Sequence, residues 1–134
     1  MYSEQVLDHF QNPRGVGDLE NATVSVEVQN PACGDVMRLS LRIESGRVVE
    51  ARFKAKGCVP AIACGSKLVE IVAGLEVGRA AEIRREQLVA SLGGLPQASQ
   101  HASYLAFEAL HEALRKMDGD GSIQRTQKEK EAIE

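Results

Sequence analysis

The sequence predicts an α+β fold, in which helices pack on one face of a three-stranded antiparallel sheet. Apolar residues recur at helical spacing near both ends of the chain, whereas three central segments alternate apolar and polar residues. The length of 134 residues suits a single domain with its own core. Hydrophobic residues make up 43% and charged residues 26%, as in ordinary globular proteins.

The segment from Tyr2 to Phe10 has apolar residues at helical spacing, which predicts an N-terminal helix with one apolar face. Ser3 is a suitable N-cap because its side-chain oxygen can accept from a free backbone N–H of the first turn. Pro13 disfavours helical backbone at Asn12, so the helix is expected to end there.

Three strands follow, and each is predicted to bury one face. The turn over residues 44–47 predicts that the second and third strands form an antiparallel hairpin. Pro31 and Gly34 interrupt regular pairing between the first and second strands. The predicted inward residues are Val24, Val26 and Val28, then Met37, Leu39, Leu41 and Ile43, then Val49, Ala51, Phe53 and Ala55.

Helical spacing returns after Gly57. The pattern predicts one helix ending near Gly74, a shorter one over residues 78–92, and a long C-terminal helix ending near residues 118–119. The last residues are polar and lack an apolar stripe. We therefore expect a folded domain over residues 1–118 and a flexible polar tail over residues 119–134.

Composition and charge narrow the functional classes. The net charge of −3, the absence of Trp and the 4% aromatic content argue against a nucleic-acid partner. No apolar run is long enough for a membrane helix, and the first residues do not resemble a signal peptide. Three cysteines are too few and odd in number for a disulfide framework, which favours a cytoplasmic location.

Two cysteines lie where strands end. Cys33 lies in a turn, two residues before Asp35, where free backbone N–H groups can stabilise a thiolate; a small buried cysteine is the alternative. Cys58 follows Gly57, which permits a tight turn, and precedes a helix. The helix dipole there is expected to lower its pKa and favour metal binding, with a small packed residue as the alternative.

The third cysteine and the histidines are harder to interpret. Cys64 lies about 120° around the helix from Cys58, which favours a packed core residue but leaves a spare thiol open. His101 begins the long helix and is either a metal ligand or a packing residue. His9 and His111 are expected to be exposed or half-buried. No phosphate-binding loop, nucleophile elbow or zinc-protease helix is present, so nothing indicates a hydrolase.

Together these segments resemble the U-type iron–sulfur cluster assembly scaffolds, which are similar to the N-terminal domain of the nitrogen-fixation U protein. The segments that carry the resemblance are Tyr2-Ser3-Glu4, Asp8-His9-Phe10-Gln11-Asn12-Pro13-Arg14, Pro31-Ala32-Cys33-Gly34-Asp35, Ala51-Arg52-Phe53-Lys54, and Gly57-Cys58 followed by Ala61-Ile62-Ala63.

The resemblance implies an α+β scaffold that is not an enzyme. Such a scaffold binds iron or builds a [2Fe–2S] cluster with sulfur from a cysteine desulfurase and passes the cluster to acceptor apo-proteins; zinc can take the same site. The ligands implied by resemblance are Cys33, Asp35 and Cys58, together with His101, which matches the histidine next to the family's last ligand cysteine.

The chain departs from the family pattern at two places. The cysteine that normally follows the histidine is Ala102, and the chaperone-recognition stretch is reduced to Leu95-Pro96, which puts chaperone recognition in question. Three metal arrangements stay open: a cluster held by Cys33, Asp35, Cys58 and His101; a site completed by Cys64 after the helix unwinds or rotates; or zinc or iron without a cluster. A thiol enzyme that relays sulfur through Cys58 or Cys64 is a separate alternative. A homo-oligomer could also supply a missing ligand.

Overall fold

The computed structural model describes residues 2–31 and 34–119. It confirms the α+β class, with an N-terminal helix, three strands and a long C-terminal helix. The order is α1 (Glu4–Gln11), β1 (Val24–Gln29), β2 (Val36–Glu44), β3 (Arg47–Lys56), α2 (Val59–Val72), α3 (Val77–Ala81), α4 (Arg85–Ser91) and α5 (Gln100–Gly119), with a 3₁₀ turn at Gln97–Ser99 before α5. The predicted tail falls outside the described residues from position 120 onward, so the domain boundary stays a prediction.

The sheet has the strand order β1-β2-β3, and both strand pairs are antiparallel. The predicted hairpin turns at Ser45 and Gly46, whose positive φ angles of 52° and 75° suit the twist of a tight two-residue turn. Helix α2 packs on β3, and α5 packs across β1 and β2, so helices cover one face. Charged side chains occupy the opposite face and pair across strands, as in Arg38–Glu27 and Arg42–Glu50.

The predicted inward face of β3 is wrong at one residue. Val49 is 39% exposed, and its neighbour Val48 is fully buried. The cause is a β-bulge: Arg42 pairs with Glu50, but Ile43 pairs with Val48, so one extra residue on β3 reverses the alternation at this end.

The predicted single helix over residues 78–92 is two helices. Helix α3 ends at Ala81, and α4 begins only at Arg85. The backbone of Arg84 is extended, and its N–H donates to Oε1 of Gln87 at 2.7 Å. This bond caps the start of a second helix. The apolar spacing continues across the break between the two helices, and for that reason the spacing alone predicts one helix.

Helix α1 docks on α2 through one apolar side chain and a polar bond. Ser3 is the N-cap, as predicted, and accepts from the Val6 N–H at 3.0 Å. Val6 is fully buried, whereas Leu7 is 41% exposed. The expectation that His9 would be exposed or half-buried is wrong: it is buried, and its Nδ1 lies 2.7 Å from Oγ of the buried Ser66.

The main core lies between the sheet and helices α2 and α5. Its largest side chains include Met37, Leu39, Phe53, Leu68, Leu110 and Met117. Gly65 on α2 lets the helix approach the sheet, since a Cβ atom there would lie 2.5 Å from Cδ2 of the Phe53 ring. No helix in the described part of the chain is both long enough and apolar enough to span a bilayer.

Candidate metal centre

The sheet register brings two predicted site segments to one end of the sheet. Val36 at the start of β2 pairs with Lys56 at the end of β3. Asp35 therefore lies beside Gly57, just beyond the last pair. The backbone N–H of Asn30 donates to the Asp35 carbonyl at 2.8 Å, which ties Asp35 to the end of β1. The Asp35 side chain is only 10% exposed.

Glycine is required at position 57 for a structural reason that the sequence did not indicate. Its φ angle is not positive, so the expected tight turn is not what requires glycine here. A Cβ atom at this position would lie 2.5 Å from Cγ and 2.6 Å from Oδ1 of Asp35. Gly57 therefore allows the carboxylate to pack directly against the backbone that leads into α2.

Cys58 is the N-cap residue of α2, and its side chain is half-buried. Pro60 occupies the first turn, where the absence of its N–H costs no helical hydrogen bond. The extended backbone of Cys58 directs its thiol to Asp35, and Sγ donates to Oδ2 at 3.1 Å. The predicted junction of strand, cysteine and helix is thus present in the structure.

The third group comes from a distant part of the sequence. His101 is the second residue of α5, and its side chain is 36% exposed. Its Nε2 atom lies 3.8 Å from Cys58 Sγ and 3.8 Å from Asp35 Oδ2. The structure therefore gathers one sulfur, one oxygen and one nitrogen donor from three elements that are distant in sequence.

The spacing of these donors suits a small metal site. In tetrahedral coordination, metal–ligand distances of about 2.0 Å for nitrogen or oxygen and about 2.3 Å for sulfur put neighbouring ligand atoms about 3.3–3.5 Å apart. The three observed separations are 3.1, 3.8 and 3.8 Å. Movements of a few tenths of an ångström would bring all three donors onto one ion.

The expectation that the helix dipole lowers the pKa of Cys58 is wrong for the metal-free protein. Burial and the hydrogen bond to Asp35 raise the pKa of the Cys58 thiol to about 11. The backbone N–H of Ala61 favours the thiolate, but this effect is smaller than the loss of hydration. The thiol is therefore protonated near neutral pH, and a bound metal must displace that proton.

The other cysteines are placed differently. Cys64 is fully buried in the main core, and burial, with a smaller effect of charge on Cys58, raises its pKa to about 12. It is not one of the three donors that come together. Ala102, next to His101, is fully buried in the same core. Cys33 lies outside the described residues, so its place at this site stays a prediction.

Comparisons with known proteins agree with this fold. Residues 1–122 match the family described as NifU-like N terminal domain. The Iron-sulfur cluster assembly scaffold protein IscU 1 of Archaeoglobus fulgidus is 41% identical over 114 residues, covering 85% of this chain and 74% of that protein. The corresponding protein of Aquifex aeolicus, Iron-sulfur cluster assembly scaffold protein IscU, is 41% identical over 116 residues with the same coverage.

A solved structure gives independent support for the architecture. The N-terminal part of a nitrogen-fixing NifU-like protein from Brucella abortus superposes with a TM-score of 0.73, covering 87% of this chain and 94% of that one. At 18% identity, this similarity concerns the fold alone. Because the family match extends over nearly all of the chain and the relatives reach 41% identity, this chain belongs to the family of NifU-like N-terminal domains.

Proposed function

We propose that this protein is an iron–sulfur cluster assembly scaffold, which binds iron or a [2Fe–2S] cluster through Cys33, Asp35, Cys58 and His101 and releases it to acceptor proteins. The observation that carries the proposal is the convergence of a thiol, a carboxylate and an imidazole within 3.8 Å at one end of the sheet. The names of the family and of its relatives support the same role.

The donor chemistry fits iron and sulfur as cargo. Thiolates are the usual ligands of iron–sulfur clusters, and histidine replaces cysteine in some of them. With Ala102 unable to bind metal, His101 is the donor that α5 supplies. Asp35 contributes a hard oxygen, which we expect to hold iron less firmly than a thiolate and so to favour release.

The test is anaerobic reconstitution of the full chain with ferric iron and sulfide, from which two Fe³⁺ and two S²⁻ form a [2Fe–2S]²⁺ cluster without a further oxidant. We expect visible charge-transfer absorbance, together with bound iron and acid-labile sulfide in a one-to-one ratio. All three signals should be lost in Cys58→Ala. Asp35→Ala should release its cluster more slowly to an iron chelator than the unmodified protein does. Absence of bound iron and of visible absorbance would refute the scaffold role.

A zinc site without a cluster is the second candidate. It is favoured by one observation, namely that the three donor separations lie close to those of a tetrahedral site. Metal and sulfide analysis of freshly purified protein separates the two candidates. Stoichiometric zinc that resists exchange, without labile sulfide, supports the zinc site, whereas iron with equimolar sulfide supports the scaffold.

Cys64 offers an alternative way to complete the site, because it is a further thiol on the same helix, six residues after Cys58. To bind metal it must leave the core, which requires α2 to unwind or rotate. Cys64→Ala distinguishes the two arrangements. We expect reconstitution to be unchanged, since His101 completes the set; loss of the cluster would assign the fourth ligand to Cys64.

We propose a cysteine desulfurase as the sulfur source and apo-proteins as acceptors, acting in the cytoplasm. Sulfur relay through a thiol of this chain is the less favoured variant, because a relay thiol attacks as the thiolate and burial raises the pKa values of both Cys58 and Cys64. Mass analysis after incubation with a desulfurase tests it. A persulfide on Cys58 or Cys64 would support relay through the residue that carries it.

A further inference from the structure

The first turn of α5, which carries His101, is fastened to α4 by one arginine. Arg85 is the first residue of α4, and its side chain is only 20% exposed. Its Nη1 atom donates to Oε1 of Gln100 at 2.9 Å and lies 3.0 Å from Oγ of Ser103, to which it also donates. Gln100 and Ser103 flank His101 on either side along the helix.

Further contacts add to this attachment. The Arg85 guanidinium lies 4.2 Å from the centre of the Tyr104 ring, in cation–π geometry, and pairs weakly with Glu86 at 3.7 Å. Ser103 is fully buried and donates back to the Gln100 carbonyl at 2.7 Å. Arg85 thus contacts three of the first five residues of α5 at once.

The loop before α5 is tied into the same arrangement. Nε2 of Gln100 donates to the Leu95 carbonyl at 2.9 Å, so the amide of Gln100 links Arg85 to the loop that leads into the helix. The first N–H groups of a helix have no partner within that helix. At α5 the preceding 3₁₀ turn supplies one partner, since the Gln100 N–H donates to the Gln97 carbonyl. The side-chain bonds from α4 add a second restraint on the first turn of α5.

The position of His101 matters because α5 provides one metal donor at the site and not two. The residue that follows it, Ala102, is buried in the core and has no ligand atom. Donors have to lie within a few tenths of an ångström of their coordination distances. A first turn of α5 that frays or shifts would therefore withdraw the nitrogen while leaving Asp35 and Cys58 together.

We propose that Arg85 is a positioning residue for His101: by holding Gln100 and Ser103, it keeps the imidazole Nε2 within reach of Cys58 and Asp35. This inference rests on the proposed metal-binding function of that site. Arg85 itself touches none of the three donors in the described contacts, so its effect on metal binding is exerted through the helix backbone.

The test is a double-mutant cycle in the full chain, with Co²⁺ as a spectroscopic probe under reducing conditions. Arg85→Met removes both hydrogen bonds and keeps an apolar stem of similar length beside Tyr104. Loss of a direct hydrogen-bond partner of a metal ligand typically lowers metal affinity about 10–100-fold. Because Arg85 acts on His101 only through the helix backbone, we expect a weakening at the lower end, about tenfold. Arg79→Met, which changes an exposed arginine on α3, is the matched control and should leave the affinity unchanged.

The His101→Ala background makes the cycle decisive. If Arg85 acts through His101, then Arg85→Met should weaken Co²⁺ binding no further once the imidazole is gone. An equal loss in both backgrounds, or none in either, would overturn the inference. If His101→Ala alone leaves Co²⁺ affinity unchanged, His101 is not a ligand and the proposed ligand set fails. Cluster reconstitution tests the scaffold function separately from this cycle.

A second variant covers the case in which Arg85→Met does not fold. Ser103→Ala removes one of the two side-chain acceptors of Arg85 and leaves a small side chain in the same buried space. We expect Co²⁺ affinity to fall, but by less than in Arg85→Met, and amide hydrogen exchange over residues 101–104 to be faster in the metal-free protein. Unchanged affinity together with unchanged exchange would count against the positioning role.

Discussion

Replacing Gly57 by alanine is expected to separate Asp35 from Cys58 while leaving the fold in place. The new Cβ atom would lie 2.5 Å from the Asp35 carboxyl carbon. An ordinary contact needs at least about 3.4 Å, so the carboxylate must retreat by about 0.9 Å. Because the φ angle of Gly57 is not in the left-handed region, the backbone itself can accept alanine.

A shift of about 0.9 Å is large compared with the roughly 0.2 Å tolerance of metal–ligand distances. We therefore expect Co²⁺ affinity to fall at least tenfold, at a cost in unfolding free energy of about 1–3 kcal/mol from overpacking. Isothermal titration measures the first quantity and urea unfolding the second.

Gly78→Ala is the matched control for this prediction. Gly78 lies in α3, and a Cβ atom added to it would have no heavy atom within 4 Å beyond its own helix turn. Alanine there should leave metal affinity unchanged and stabilise the protein by about 0.4–1 kcal/mol. If Gly57→Ala binds Co²⁺ as tightly as the unmodified chain, the steric reasoning about Asp35 is wrong.

Three further predictions concern stability. Burial lowers the pKa of His9 from 6.5, so below about pH 6.5 the unfolded chain binds a proton that the folded chain does not, and the unfolding free energy should fall. His9→Asn should flatten this pH dependence in urea titrations at pH 5–8. Gly65→Ala should destabilise the protein by about 1–3 kcal/mol by pressing on Phe53, whereas a stabilised variant would contradict the close packing. Ser3→Ala should cost about 1 kcal/mol in thermal or urea unfolding because the Val6 N–H loses its cap, and an unchanged midpoint would argue against that bond.

The elements whose signals are local could be predicted from the sequence. Ser3 as a cap, the turn at Ser45 and Gly46, and the junction at Cys58 each depend on residues adjacent in the chain. The pairing of the second and third strands followed from the short hairpin. The gathering of Asp35 and Cys58 at one sheet end was open to prediction because antiparallel pairing places the start of one strand beside the end of the next.

The misses have tertiary causes. Val49 and Val48 exchange roles because a bulge in the β2–β3 pair shifts the alternation, and a period-two pattern carries no sign of that extra residue. The bond between His9 and Ser66 joins residues from helices far apart in sequence, so no spacing rule indicates it. The pKa of Cys58 depends on burial, which outweighs the helix terminus that the sequence does indicate.

The three donors belong to segments that are far apart in the chain, since Asp35 stands near the start of β2 and His101 near the start of α5. An ion bound by all of them would act as a reversible cross-link between β2, α2 and α5. An unfolded chain has no such site, so the ion would add about 2.7 kcal/mol of stability at a free concentration about one hundred times its Kd. Resistance to urea or protease would then report how much of the protein carries cargo, and cargo release would make the domain easier to unfold.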